Sequence, residues 1–212
     1  MRVAEAIKTL TNWDRRGRAV FTFADMRMMF PDDSAKALTE SLARLTRAGL
    51  LERVGKGIYF NPLSQRSHRR LLEEIAAAMR AGEFNYTSLE CALSEWGVIS
   101  QVPMQYLTVM TTGRKGVFRT PYGTIEFTHT KRSAADIIRG TVLPAPPRLR
   151  LATAPAAYRD LKRVGRNLHL VDIGELQEYV DMQDPDVARQ FRREARYLET
   201  VESARVSQDV SP

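Results

Sequence analysis

Between Ser34 and Arg47 the chain reads SAKALTESLARLTR, and Lys36, Ser41, Arg44 and Arg47 recur there among apolar residues. Lysine and arginine can pair with the O6 and N7 acceptors of guanine, and both neutralise backbone phosphates. Lys56 follows between two glycines, and Arg27 precedes the stretch. Arg27, Ser34, Lys36, Ser41, Arg44, Arg47 and Lys56 are therefore the candidate DNA-binding residues. Arg44 and Lys36 are the first choices for reading bases, while Arg15, Arg16 and Arg18 could hold phosphates. Arg114 and Lys115, with Arg119, Lys131 and Arg132 nearby, could form a second basic patch adding phosphate contacts. Cations at a strand edge also serve to block edge-to-edge association.

Catalytic chemistry finds little support. His68, His129 and His169 lie far apart, without the HxxxH or HExxH spacing of metal ligands. Cys91 is the only cysteine, which excludes an intrachain disulfide and a cysteine-based zinc site. It falls beside apolar helix positions and reads as a small buried hydrophobe rather than a nucleophile. No P-loop, GxSxG elbow or GxGxxG turn occurs. Glu126 and Lys131 resemble a nuclease carboxylate and lysine, but the spacing is wrong and no paired aspartate accompanies them. No catalytic residue, metal or cofactor is expected.

The elements that must position the cations are well punctuated. Val3, Ala6, Ile7, Leu10 and Trp13 form one apolar stripe, predicting a helix over 2–15 that Gly17 stops. Val20 and Phe21 suit a short extended rung. Thr22 is then a good N-cap for a helix carrying Phe23, Met26 and Phe30, which Pro31 ends. Asp32 and Asp33 make a turn and offer the next cap. Ala35, Leu38, Leu42 and Leu45 define the buried side of a third helix, with Gly49 just beyond it. That leaves Lys36, Glu40, Ser41, Arg44 and Arg47 on the free face. Residues 50–54 and 58–60 read as strands of a hairpin around Gly55-Lys56-Gly57. Three helices followed by a hairpin with a basic tip is the order of a winged helix-turn-helix over 1–62. A helix of this kind fits the major groove, with the wing on the backbone or minor groove alongside.

Asn61-Pro62 marks a boundary, and residues 68–203 read as a second, larger α+β domain. Helices are expected over 68–81 and, with Thr87 as cap, from Tyr86-Thr87 to Gly97. YLTVMTT, GVFRT and GTIEFTHT suggest a three-stranded antiparallel meander. Residues 133–139 could hold one or two helical turns, and Pro144, Pro146 and Pro147 impose an extended loop. Helices are expected over 155–164, 173–181 and 185–203, then a flexible tail over 204–212.

The 212 residues carry 32 Lys and Arg against 25 Asp and Glu, a formal charge of +7. A basic surplus favours polyanions through counterion release, although it also serves solubility. No apolar run approaches the roughly 18 uncharged residues of a spanning helix. The N-terminus lacks the apolar core of a signal peptide, so a cytoplasmic protein is expected.

The chain resembles the AbiEi family of antitoxins, the transcriptional-regulator half of type IV toxin–antitoxin systems known from abortive phage infection. TFADMRMMFPDDSAKALTESLARLTRAGLLERVGKGIYFNP is similar to that family's winged helix. FNYTSLECALSEWGVISQVP, LTVMTTGRKGVFRTPYGTIEFTHT and LRLATAPAAYRDL are similar to its C-terminal antitoxin region. From Pro155 to Leu161 the chain departs from the pattern, with Ala156 and Ala157 where charged residues stand in the family. The resemblance implies cooperative repression from inverted repeats in the chain's own promoter, with bending of the DNA. It also implies antagonism of a nucleotidyltransferase-type toxin without a stable complex. Of functional residues it carries over only Lys36, Ser41, Arg44, Arg47 and Lys56. Two alternatives stay open: a stand-alone winged-helix regulator without a toxin, and an enzyme acting through the C-terminal part.

Overall fold

The computed structural model describes residues 1–64, 68–100, 105–144 and 149–182. It is a mixed α+β structure built on two sheets. The elements before residue 64 are α1 (Val3–Arg15), β1 (Val20–Thr22), α2 (Phe23–Met29), α3 (Ala35–Arg47), β2 (Glu52–Gly55) and β3 (Ile58–Phe60). The strands form a small antiparallel sheet in the order β1-β3-β2. Thr22 caps α2 by accepting from the Asp25 amide, and the Asp25 carboxylate answers to the Thr22 amide. Ser34, rather than Asp32 or Asp33, caps α3, because its hydroxyl reaches the Ala37 amide. Ala6, Leu10, Phe21, Met26, Phe30, Leu38, Leu42, Leu45 and Leu51 make a local core. Val3 and Ile7, expected on the α1 stripe, are instead 40 % and 37 % exposed, since the helix turns Ala6 and Leu10 inward and packs Trp13 against the same core.

The rest comprises α4 (His68–Met79), β4 (Asn85–Thr87), α5 (Leu89–Glu95), β5 (Tyr106–Thr111), β6 (Gly116–Thr120) and β7 (Gly123–His129). They are followed by α6 (Ala134–Arg139), β8 (Thr141–Val142), β9 (Arg150–Ala152), α7 (Ala154–Val164) and α8 (Ile173–Asp181), with a 3-10 turn over Leu168–Leu170. Six strands run in the order β6-β7-β5-β4-β9-β8.

Two expectations are corrected here. The strands from Tyr106 to His129 are not an antiparallel meander. Only β6 and β7 form a hairpin, and β5 pairs in parallel with β7 from Tyr106↔Thr124 to Thr111↔His129. The loop over 112–115 therefore crosses the end of β7, where the His129 ring meets the Gly113 carbonyl at 2.9 Å. Secondly, Tyr86-Thr87 is strand, paired to β5 and in parallel to β9. Ser88 occupies the cap position of α5, and Leu89 follows with φ +58°. A left-handed leucine costs on the order of 1–2 kcal/mol. Full burial of its side chain and a brace from Thr108 hold it there. The Thr108 hydroxyl donates to the Ser88 carbonyl at 2.6 Å and accepts from the Cys91 amide at 3.3 Å.

A second apolar cluster joins the two sheets. Leu71, Leu72, Ile75 and Ala76 of α4 pack with Val20, Val54, Ile58 and Phe60 of the small sheet. The same cluster includes Leu107, Val109, Ile125 and Phe127 of the large one. A third gathers α5, α7 and α8 over the other strands. Among the described residues no helix is long and apolar enough to cross a membrane. The expected helix over 185–203, the tail over 204–212 and most of the proline loop lie outside the described residues.

Candidate nucleic-acid interface

Helix α3 carries most of the candidate residues. Its inward stripe is Leu38, Ser41, Leu42 and Leu45, and the leucines are no more than 2 % exposed. Ser41 was expected on the free face but is 6 % exposed. The reason is the helical period: positions 38, 41, 42 and 45 follow the i, i+3, i+4, i+7 spacing of one buried face. The outer face carries exposed Lys36, Glu40, Ala43, Arg44 and Arg47.

These cations are not equally free. The Arg44 guanidinium donates to the Met1 carbonyl at 3.1 Å and to the Ser41 hydroxyl at 3.5 Å. The nearby Asp33 carboxylate holds the Met1 ammonium at 2.6 Å. Arg47 turns back on its own helix, donating to the Ala43 carbonyl at 3.4 Å. Arg27, Lys36 and Lys56 are exposed and have no hydrogen-bond or ion-pair partner among the described residues. After α1 the cations divide similarly. Arg18 pairs with Asp25 at 2.5 Å and lies over the rings of Trp13 and Phe21, while Arg16 stacks on Trp13. Arg15 remains exposed.

The hairpin between β2 and β3 turns at Gly57, whose φ is +68°, and its carbonyl accepts from the Phe23 amide at 2.8 Å. Lys56 is thus tied through its neighbour to the start of α2. The other side of the hairpin tip rests on the rest of the molecule. A Cβ at Gly55 would stand 3.4 Å from the Met79 methyl, and Phe118 of β6 lies alongside. Tyr122, in the β6–β7 turn, hydrogen-bonds Glu52 of β2 and meets the Phe60 ring edge-on at 5.4 Å. Burial and then the Glu52 carboxylate push the Tyr122 hydroxyl pKa well above the usual phenol range.

Between the hairpin tip, the start of α2, the end of α4 and β6 runs a groove. Phe23, Val54, Ile58, Met79 and Phe118 line its apolar part, and Lys56, Arg80 and Arg119 supply charge. Arg119 lies near Arg114 and Lys115 in the sequence, yet the structure sets it beside Lys56 of the hairpin tip. Arg80 stands in no sequence motif. Its guanidinium lies 5.0 Å from the Phe118 ring centre and 4.4 Å from that of Phe127, and it donates to the carbonyls of Met79 and Arg114. Only the fold could reveal this, because residues 56, 80 and 119 belong to three separate elements.

Arg114 and Lys115 are exposed on the crossing loop, in a shallow depression shared with Glu83, Thr112, Thr128 and His129. Lys131 is also exposed, whereas Arg132 is tied to Asp160 at 3.2 Å.

Two polar clusters lie elsewhere, and in the first the Asp160 Oδ1 has an ion pair with Arg132 but no hydrogen bond. Asp160, 1 % exposed, accepts from Tyr86 at 3.0 Å and Ser88 at 2.9 Å. Arg166 clasps Glu90 at 2.8 and 3.1 Å and Glu126 at 2.6 Å, while Asn167 adds a bond to Glu90 at 2.9 Å. Burial pushes the Glu90 pKa up, but Arg166, local backbone and Asn167 hold it below the usual carboxylate range. Burial and the Glu126 carboxylate push Tyr106 up to about 12. Cys91 is buried and donates to the Tyr106 carbonyl at 3.2 Å. Among the described residues no three His, Cys, Asp or Glu side chains gather where a metal could sit.

No family model and no curated protein matches the chain. Among solved structures, it is similar to the RV2827C protein from Mycobacterium tuberculosis, with a TM-score of 0.58 and 14 % identity. The likeness covers 90 % of this chain and 72 % of that one, and it concerns the fold alone.

Proposed function

We propose that the chain is a DNA-binding repressor and antitoxin of the AbiEi kind, with residues 1–62 acting as a winged helix-turn-helix. One observation carries the DNA-binding part. Helix α3 turns Leu38, Leu42 and Leu45 inward and presents Lys36 and Arg47 outward, beside a hairpin whose tip exposes Lys56. A helix so placed enters the major groove while the wing meets the flanking backbone. Lys36, near the helix start, is the foremost base reader. Arg27, Arg47 and Lys56 act on phosphates, Ser34 sets the helix start, and Arg44 contributes once it leaves the Met1 carbonyl.

Two copies would pair cooperatively on an inverted repeat in the chain's own promoter, each with α3 in a major groove. Bending the duplex costs on the order of 1–6 kcal/mol, offset by the added contacts. Arg114 and Lys115 would lie against the flanking phosphates. The antitoxin part rests on the family resemblance of the segments around Glu90, β5 to β7 and α7. It acts on a nucleotidyltransferase-type toxin through function rather than through a lasting complex.

Two measurements test the reading. The purified chain should retard duplex from upstream of its own gene more strongly than random duplex. Its co-expression should rescue growth from a nucleotidyltransferase toxin encoded next to it. Equal binding of both duplexes, or none, would remove the repressor role, and failure of rescue would remove the antitoxin role.

A further inference from the structure

We infer that the groove between the wing and β6 holds the phosphodiester backbone beside the wing, with Arg119 and Lys56 contacting it together. The inference rests on the DNA-binding reading and adds a contact from the second half of the same chain. Its first support is charge. The groove is lined by Lys56, Arg80 and Arg119, and no aspartate or glutamate is among the lining residues. Lys56 and Arg119 are exposed and make no hydrogen bond or ion pair among the described residues.

The second support is placement. Gly55 stands against Met79, so the tip of the hairpin is seated on α4 and β6 rather than held away from them. A backbone strand that reaches Lys56 must therefore pass beside β6. Arg119 lies on that strand, at the edge of the six-stranded sheet, where no neighbouring strand covers it. Tyr122 with Glu52, and Phe60 with Tyr122, fasten the small sheet to the β6–β7 turn. Arg119 and Lys56 are thereby held in register, so little order need be gained on binding. Arg80 contributes charge from below. Its Nε and Nη1 are engaged by carbonyls, and its Nη2 has no hydrogen-bond partner among the described residues.

A phosphate contact carries no sequence information but contributes to the salt dependence of binding. The test compares full-length wild type with Arg119→Gln, Arg119→Lys and Lys36→Ala, on upstream and random duplex across a salt series. Arg119→Gln is expected to weaken binding to both duplexes about threefold to tenfold, and to lower the log–log salt slope by about 0.9. Arg119→Lys should keep most of both. An unchanged affinity and slope in Arg119→Gln, with Lys36→Ala still weakened, overturns the groove and leaves the DNA-binding reading intact. A loss in Arg119→Lys equal to that in Arg119→Gln also overturns it, because charge would not be the cause. So does Arg119-dependent capture of polyglutamate without Arg119-dependent duplex binding, which would mark a site for an acidic protein segment. Absence of any duplex binding by wild type removes the underlying reading itself.

Discussion

The hydroxyl of Tyr122 donates to the carboxylate of Glu52, joining the β6–β7 turn of the large sheet to the second strand of the small one. The two residues are far apart in sequence, and neither carries a motif. Their contact helps fix where the β2–β3 hairpin lies relative to β6.

Removing that hydroxyl leaves the half-buried Glu52 carboxylate without its donor, while the ring can still meet Phe60. Tyr122→Phe should therefore destabilise the fold by about 1–3 kcal/mol. In urea this appears as a lower midpoint at unchanged slope. An unaltered midpoint would show the latch to be energetically idle.

Lys36 and Arg44 should separate in DNA binding. Lys36 is unengaged, so Lys36→Ala is expected to weaken upstream duplex by about 1–3 kcal/mol and to relax sequence preference. Arg44 must first give up its bonds to the Met1 carbonyl and Ser41, so Arg44→Ala should lose less. Binding titrations on single-base variants of the operator decide the order. A larger loss of preference in Arg44→Ala would reverse it.

Acid should expose two carboxylates. Burial raises the Asp25 pKa, but bonds from Thr22 and the Arg18 guanidinium more than reverse this, and Glu90 is likewise held low. A carboxylate with a depressed folded pKa stabilises fully above its unfolded value, about 4, and the stabilisation is lost as pH falls through the folded value. Thermal midpoints should hold between pH 6 and 5 and fall below about pH 4. In the Asp25→Asn, Glu90→Gln double variant the fall should be shallower, from a lower starting point. A parallel fall in both proteins would contradict this account.

Asp160 is buried, with one carboxylate oxygen accepting from Tyr86 and Ser88 and the other facing Arg132. Asp160→Ala leaves the Tyr86 and Ser88 hydroxyls and part of the Arg132 charge without an acceptor. Because Arg132 is 30 % exposed, the expected loss is about 3 kcal/mol, the lower end for breaking a buried pair. Chemical denaturation measures it, and a cost under about 1 kcal/mol would show that water replaces the carboxylate.

What the sequence disclosed follows from how local each signal is. Thr22 and the Gly49 stop act within a few residues, and the leucine stripe of α3 within a few turns, so these could be read directly. Ser41 could have been placed correctly from its spacing to Leu38 and Leu45, but its polarity argued the other way. The meander failed for a different reason. The turn between β6 and β7 and the loop over 112–115 both contain glycine and look alike, yet only the first closes a hairpin. Long-range pairing of β5 with β7 decides the second. Strand β4 was concealed by its brevity, with Thr87 sharing its residue type with good helix caps. Arg80 and Arg119 become neighbours of Lys56 only when α4 and β6 have packed, and no spacing announces that.

Helix α4 has a consequence for how the chain can be divided. Its apolar residues serve both sheets at once, so a fragment ending near Pro62 would leave Val20, Ile58 and Phe60 facing water. A fragment beginning near His68 would keep α4 over Leu107 and Ile125 but bare the side of that helix that meets the small sheet. Heating the whole chain should then melt both sheets in one step, and a gene cut between them should yield two insoluble halves rather than two usable modules.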